Sequence, residues 1–392
     1  MLKDIIVLDL SRILAGPYCT MTLADLGAEV IKVESLSGDD TRGWGPPFYK
    51  DDAAYYLCCN RNKKSITMDF TTLKGQEILH SLAEKADVFV ENYKVGGLRK
   101  YGLDYESIHK INSSIIYCSI TGYGQTGPYR EKPGYDFIIQ GLSGLMSITG
   151  EVEGTPMKLG VAISDVLAAH SATTSILAAL HRRQKTGEGE YIDISLLDAS
   201  VASLVNVASG HLISESEAKR YGNAHPNIVP YESFMAKDGY LNIAVGNNSQ
   251  FSRLCQVIGL PELATDERFI NNADRVKNRE TLIPKLNEVL SKKGISVWLQ
   301  ILEDHQIPAG AINTVGKVFS DQQIKARNMV TTIAHSSGEA IKLVSSPLKF
   351  KNFKTDIHSP PPVLGEHTDE VLENCLGMTA EQILQLRKEK II

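Results

Sequence analysis

The chain has 392 residues, 43% of them hydrophobic, with 41 Lys and Arg against 46 Asp and Glu, for a formal charge of −5. That length suggests about two domains, and the apolar content is ample for a buried core. A mildly acidic chain carries no overall basic footprint for nucleic acid, so any anionic ligand must be gripped by a local cationic cluster.

In chain order, Ile5 to Leu10 is a short apolar run, as expected of a strand buried on both faces. Thr20 to Leu26 has helical spacing and stops at Gly27. Glu29 to Glu34 reads as a second strand. Gly75 to Lys85 predicts a helix, Asp87 to Val90 a strand, Tyr105 to Ile111 a helix and Ser114 to Ile120 a strand. Repeated β-α-β units imply a parallel sheet with helices on both faces. Ser164 to His181 reads as one Ala- and Leu-rich helix, with Ser164 or Asp165 as a suitable N-cap. Tyr191 to Leu196 is a strand. Leu197 to Ile213 is a helix of small side chains suited to close packing in a core or across a subunit interface.

The pattern changes near residue 215. Ser233 to Val245 predicts a hairpin turning at Lys237-Asp238-Gly239. Helices follow at about 249–259, 279–291 and 295–304. Strands return from about 330, then a Pro-rich loop at Ser359 to Pro362 and a last helix from Thr368. The expected architecture is α/β. A large Rossmann-like domain (1–215) has a parallel sheet built from both chain ends. A small α+β domain spans 225–325, and a C-terminal segment (330–392) returns to the large domain.

The six cysteines, Cys19, Cys58, Cys59, Cys118, Cys255 and Cys375, form no C-x-x-C pair and no zinc spacing. Adjacent Cys58 and Cys59 are poorly placed for an ordinary disulfide, which points to a reducing compartment. The N-terminus shows no leader pattern. The most apolar stretch, Leu196 to Ile213, contains Asp198, Asn206 and His211 and is expected as a buried helix, not a membrane span. We therefore expect a soluble intracellular protein with no membrane or nucleic-acid partner. Its place is the cytoplasm in a bacterium, or the mitochondrial matrix in a eukaryote.

Two stretches look like dinucleotide sites. Gly122 to Gly127 is a literal G-x-G-x-x-G after a strand, but Pro128 follows at once and no acidic strand end lies at the required distance. Ile5 to Glu34 has strand, helix, strand and a terminal acid, yet its loop, Ser11 to Pro17, holds only one glycine. The fold can be Rossmann-like while the dinucleotide site is missing.

Nine blocks occur in register. They are Leu14 to Pro17, Glu29 to Glu34, Gly38 to Arg42, Asn60 to Ser65, Glu91 to Lys94, Gly122 to Pro128, Gly134 to Asp136, Gly160 to Asp165 and Leu364 to Asp369. Together they resemble the class III CoA-transferases, from about residue 2 to the C-terminus. Asn223 to His225, Ile228 to Tyr231 and Gly246 to Phe251 are most similar to members acting on dicarboxylates. The resemblance implies succinyl-CoA as donor, glutarate or a similar dicarboxylate as acceptor, no permanently bound cofactor, no metal, and an interlocked homodimer. An α-methylacyl-CoA racemase of the same superfamily is the alternative.

By this resemblance Asp165 is the nucleophile, forming mixed anhydrides and an aspartyl-CoA thioester. Read without the resemblance, it is a favoured helix cap. Both roles are compatible, because a helix N-terminus stabilises nearby negative charge. Tyr135 matches an active-site Tyr of the transferases where the racemases have a His; a phenol of ordinary pKa about 10 is a poor base at neutral pH. Gly246 and Gln250, with Asn247 and Asn248, align with a glycine-rich loop that closes over the site; Gln250 is a candidate donor to the oxyanion. Asn92, Tyr93 and Asp136 match family positions at the CoA channel or site. Arg42, Arg61, Lys63, Lys64, Lys94, Arg99 and Lys100 are the candidate phosphate cations, with Asn62, Leu14 and Ala15 beside them. Lys100 stands where the family usually has Arg, which loses a bidentate grip. Arg12 is a candidate partner for a second substrate carboxylate. His225 and His367 are expected to be structural.

Overall fold

The protein is described by a computed structural model that covers residues 1–392. It forms two compact units, one of Met1–Leu145, Lys158–Ser216 and Gln322–Ile392, the other of Met146–Met157 and Glu217–Asp321.

The first unit is built on six parallel strands: β1 (Ile6–Asp9), β2 (Glu29–Glu34), β3 (Lys63–Thr67), β4 (Val88–Glu91), β5 (Ile116–Thr121) and β6 (Glu190–Ser195). Their order is β3-β2-β1-β4-β5-β6, the doubly wound arrangement of nucleotide-binding sheets. Strand side chains alternate between faces. Val7, Val30, Val88 and Ile116 face one layer with helices α1 (Ala15–Asp25) and, farther along, α5 (Ile163–Thr186). Leu8, Ile31, Phe89 and Tyr117 face the other, with α2 (Leu73–Lys85) and α3 (Tyr105–Ile111). Between α3 and α5 lies the short α4 (Asp136–Leu142). By length and composition α5 could cross a membrane. Here its Ala168, Ala169, Ala172 and Ile176 are buried in the first layer beside α1.

Four sequence expectations are corrected. The C-terminal segment adds no strand to the parallel sheet. Val330–Ala334 and Ala340–Val344 pair only with each other, and helices Thr368–Leu376 and Ala380–Lys388 supply Val371, Leu372, Ile383 and Leu386 to the second layer. The segment covers the β3 edge through isolated bonds: His367 donates its N–H to the Ser65 carbonyl at 2.9 Å, and Thr67 donates its N–H to Thr368 Oγ1 at 3.1 Å. Strand β3 was not read from sequence, because two lysines and a serine interrupt its apolar pattern. Helix α1 begins at Ala15, not Thr20, since proline is accepted in a first helical turn, where its missing N–H is not needed. The stretch Leu196–Ile213 is two helices, α6 (Leu196–Ala202) and α7 (Val205–Ser214), bent by 75°. Only Leu196 and Ser200 in it are buried, while Leu212 and Ile213 are 78% and 86% exposed.

The second unit centres on the antiparallel hairpin Tyr231–Ala236 and Gly239–Ala244, extended by Ala309–Ala311. Helices Asn248–Ile258, Arg279–Leu290 and Ile295–Asp304 cover it, with Phe234, Phe251, Leu286 and Trp298 in the core.

Candidate active site

Crevices at the C-terminal ends of parallel strands, where strand order reverses, are the usual ligand sites of open α/β sheets. Here the reversal falls between β1 and β4, and the loops after these strands grip each other. Asn92 accepts the Arg12 N–H at 2.8 Å and donates to the Arg12 carbonyl at 2.6 Å. The next residue, Ile13, has φ +71°, a costly conformation for a β-branched side chain. The Asp39 carboxylate holds its N–H at 3.2 Å. Gly16 completes the turn, since a Cβ there would lie 2.2 Å from Ser11. The tight loop delivers Ala15 as the first residue of α1.

Asp165 lies half-buried in the first turn of α5. The backbone N–H groups of Ala15 and of Asp165 itself lower its pKa, so it feels the donor-rich starts of α1 and α5 together. Burial, then the charge of Asp136, outweigh these donors and push the carboxyl up to about 7. The result is a poorly solvated carboxylate with no cation paired to it, close to half ionised at neutral pH.

Asp136 fixes the approach to Asp165. One of its oxygens accepts the Ser164 N–H at 2.9 Å and the other accepts Gln140 Nε2 at 2.9 Å. Gln140, itself buried, accepts the Leu159 N–H at 2.9 Å. From the other side Ser200 Oγ reaches Ser164 Oγ at 2.9 Å. Tyr135 stands at the N-cap of α4 and is 67% exposed. The glycine motif explains its placement. Gly122 and Gly134 cross so closely that a Cβ on either would lie 2.5 Å from the Cα of the other. The literal G-x-G-x-x-G thus serves a backbone crossing that sets Tyr135 and Asp136.

Sequence reasoning missed Tyr55, which lies between two of the family-like blocks and in neither. Burial first, then the charge of Asp165, push its phenol up to about 12, with Asp136 contributing. Trp44 meets its ring edge-on at 5.4 Å.

A cleft of about 350 Å³ opens beside the switch point, lined among others by Arg12, Ser35, Ser37, Phe70, Thr71 and Tyr93. Phe70 stands edge-on between Tyr93, at 5.9 Å, and Tyr101, at 5.4 Å. Arg12 lies over Tyr93 and Lys100 over Tyr101, at 5.1 and 4.6 Å from the ring centres. An apolar wall with a cation at each end suits a base and its phosphates. Arg99 and Lys94 are exposed nearby in sequence.

In the second unit, Gly246 to Gln250 forms a closed helix cap. Asn247 accepts the Gln250 N–H at 2.9 Å, and Gln250 Oε1 accepts the Gly246 N–H at 2.8 Å. Asn248 accepts from the buried Arg275 at 3.0 Å.

The profile of CoA-transferase family III matches residues 2–368. The chain belongs to this family. Succinyl-CoA:glutarate CoA-transferase of Homo sapiens is 45% identical over 392 residues, all of this chain and 90% of that protein. Succinate–glutarate CoA-transferase of Agrobacterium fabrum is 44% identical, covering 95% of this chain and 94% of its own length. A crystal structure of a CaiB/BaiF family protein from Brucella suis superposes with a TM-score of 0.86 at 46% identity, covering 95% of this chain and 99% of that one. The protein is accordingly a CoA-transferase, an enzyme whose substrates are CoA thioesters.

For a CoA-transferase, the placement of the cations matters most, and several expected ones are committed elsewhere. Arg42 is buried, bidentate to Glu34 at 2.8 and 2.7 Å, with Asp52 at 2.8 Å and the Tyr56 hydroxyl at 2.6 Å. Lys63 is fully buried against Asp9, the Pro17 carbonyl and Asn60. Arg61 holds Asp25 through two bonds, and Asn62 holds Asp25 and caps the His358 and Ser359 amides. Lys64 bridges Glu29 and Glu370. The reading of Arg42, Asn62 and Lys63 as CoA ligands is therefore corrected: their donors already have internal acceptors. Ala15 has its N–H on Asp165, and Leu14 is the helix N-cap position before it. His367 accepts the Ser65 N–H at 3.3 Å, and His225 accepts the Asn227 N–H at 3.0 Å, both as loop anchors.

Proposed function

We propose that the enzyme moves CoA from succinyl-CoA to glutarate or a similar dicarboxylate, with Asp165 as the covalent carrier. The observation that carries this reading is the unpaired, desolvated Asp165 carboxylate at two helix starts. The dicarboxylate assignment rests on the similarity to the human and Agrobacterium enzymes.

In the first step a carboxylate oxygen of Asp165 attacks the thioester carbonyl and CoA leaves as its thiolate, giving a succinyl-aspartyl anhydride. The thiolate returns to the aspartyl carbonyl, expelling succinate and leaving an aspartyl-CoA thioester. The carboxylate of glutarate attacks this thioester, and the thiolate then takes the glutaryl group and frees Asp165. The Ala15 N–H at the start of α1 is the donor for the oxyanion that develops on the aspartyl carbonyl. Tyr55 and Tyr135 supply hydroxyls toward the carboxylates. The adenosine and phosphates of CoA take the Phe70–Tyr93 cleft with Arg12 and Lys100. The exposed apolar side chains of α6 and α7, Val201, Val205, Leu212 and Ile213, fit a second copy of the chain in a homodimer.

Brief mixing with succinyl-CoA, hydroxylamine trapping and peptide mapping tests the proposal. An adduct on the peptide holding Asp165 is expected. Exchange of the α-proton of a 2-methylacyl-CoA without any adduct would instead assign racemase chemistry.

A further inference from the structure

Tyr55 rides on a single helical turn, Ala54–Leu57. That turn ends in two adjacent thiols that the transfer chemistry does not use. Cys58 is exposed and Cys59 is buried. The Cys58 thiol donates to the Tyr55 carbonyl at 3.1 Å, so it is tied to the residue whose phenol senses Asp165. The Cys59 thiol lies 3.7 Å from the carbonyl of Ile13, in the strained loop before α1. The pair thus touches two walls of the site.

The two sulfurs are chemically unlike. A hydrogen bond from Cys59 holds the Cys58 thiol below the ordinary thiol range, with Arg61 and Lys63 adding to the effect. That same bond, then burial, push Cys59 well above it. A thiolate is the form that attacks oxidants, and a neighbouring thiol resolves the product. Cys58 is reachable and inclined to ionise, whereas Cys59 keeps its proton beside it.

We propose that Cys58 and Cys59 form an oxidation site in the active-site wall, which peroxides close to a vicinal disulfide, thereby stopping CoA transfer. The Cys58 thiolate attacks one peroxide oxygen, the O–O bond breaks, and the other oxygen leaves as hydroxide to become water. This gives a sulfenic acid. The Cys59 sulfur then attacks the Cys58 sulfur, the S–O bond breaks, and the departing hydroxide takes the thiol proton. Both thiols lose their hydrogens and the peroxide is reduced to two waters. Adjacent cysteines close a small strained ring, and strained disulfides are the readily reduced kind. Closing it pulls Cys58 off the Tyr55 carbonyl and Cys59 away from Ile13, so Tyr55 shifts from Asp165.

The loss of activity rests on the transferase reading above; the thiol chemistry does not. The full-length protein is treated with hydrogen peroxide, quenched with N-ethylmaleimide, mapped by mass spectrometry and assayed for transfer before and after dithiothreitol. We expect the peptide spanning the pair to lose two hydrogens and escape maleimide. Transfer should fall more than about tenfold and return on reduction. Cys58→Ser should keep its activity under the same treatment, and Cys59→Ser should stop at a sulfenic acid that dimedone traps. Both thiols intact in inactivated enzyme, or a Cys58→Ser variant that loses activity as fast, would overturn the proposal. No transfer in the reduced protein would instead remove the function reading, with the peptide map still reporting on the thiols.

Discussion

Asp136 holds the backbone N–H of Ser164 at 2.9 Å, one residue before Asp165. The same carboxylate raises the pKa of Asp165 by its charge, so it both positions Asp165 and tunes its ionisation. Asn at 136 retains an acceptor for Ser164 and removes the charge. Asp136→Asn should therefore move the midpoint of the pH–rate curve to lower pH with a small fall in kcat. Asp136→Ala should lose about tenfold more in kcat. A midpoint unchanged from that of the unsubstituted protein in both variants would show that the charge has no role.

With the carboxyl at about 7, the transfer rate should rise with pH through that value and level off above it, because only the ionised form attacks. The stability effect has the opposite sign. A carboxyl raised from its ordinary value of 3.8 to about 7 on folding stabilises the fold fully below the unfolded value and loses that contribution as pH rises through about 7. Asp165→Asn should thus abolish transfer, keep CoA binding, and raise stability at pH 8 by about 1–2 kcal/mol after allowance for partial hydration. Calorimetric melting and isothermal titration with CoA check both parts.

Arg42 and Arg12 should separate stability from binding. Removing Arg42 leaves Glu34 and Asp52 buried without their partner, a loss of about 3–5 kcal/mol. Arg12 is half exposed beside Asp40, so Arg12→Gln should leave the melting temperature nearly unchanged and raise KM for the dicarboxylate or the CoA ester. Urea melts and initial rates of the two variants would decide.

The 246–250 cap offers a similar contrast. Gln250→Ala should open the cap by leaving the Gly246 N–H without its acceptor, costing about 0.5–1.5 kcal/mol of stability. Asn248→Ala leaves buried Arg275 short of one acceptor, costing about 1–3 kcal/mol of stability. Urea melts of the two variants would check both losses.

Strands β1 and β2 and the helix bearing Asp165 were legible because their apolar spacing is local. Strand β3 was not. Lys63 and Lys64 look like solvated surface residues until Asp9, 54 positions away, is brought against Lys63. Arg42 turned from an apparent phosphate ligand into a buried tie through nearer partners, Glu34 and Asp52, 8 and 10 positions away. Tyr55 carried no signal at all, since its relation to Asp165 exists only after the connection between β2 and β3 is brought to the start of α5.

The N–H of Ala15 has a wider consequence. In sheets of this strand order the first helix start is the place where a dinucleotide pyrophosphate docks. Here that anion seat is occupied from within, by a side chain of the same chain. The protein therefore carries its own tethered anion at that position, and an anionic cofactor docking in that turn would have to displace Asp165.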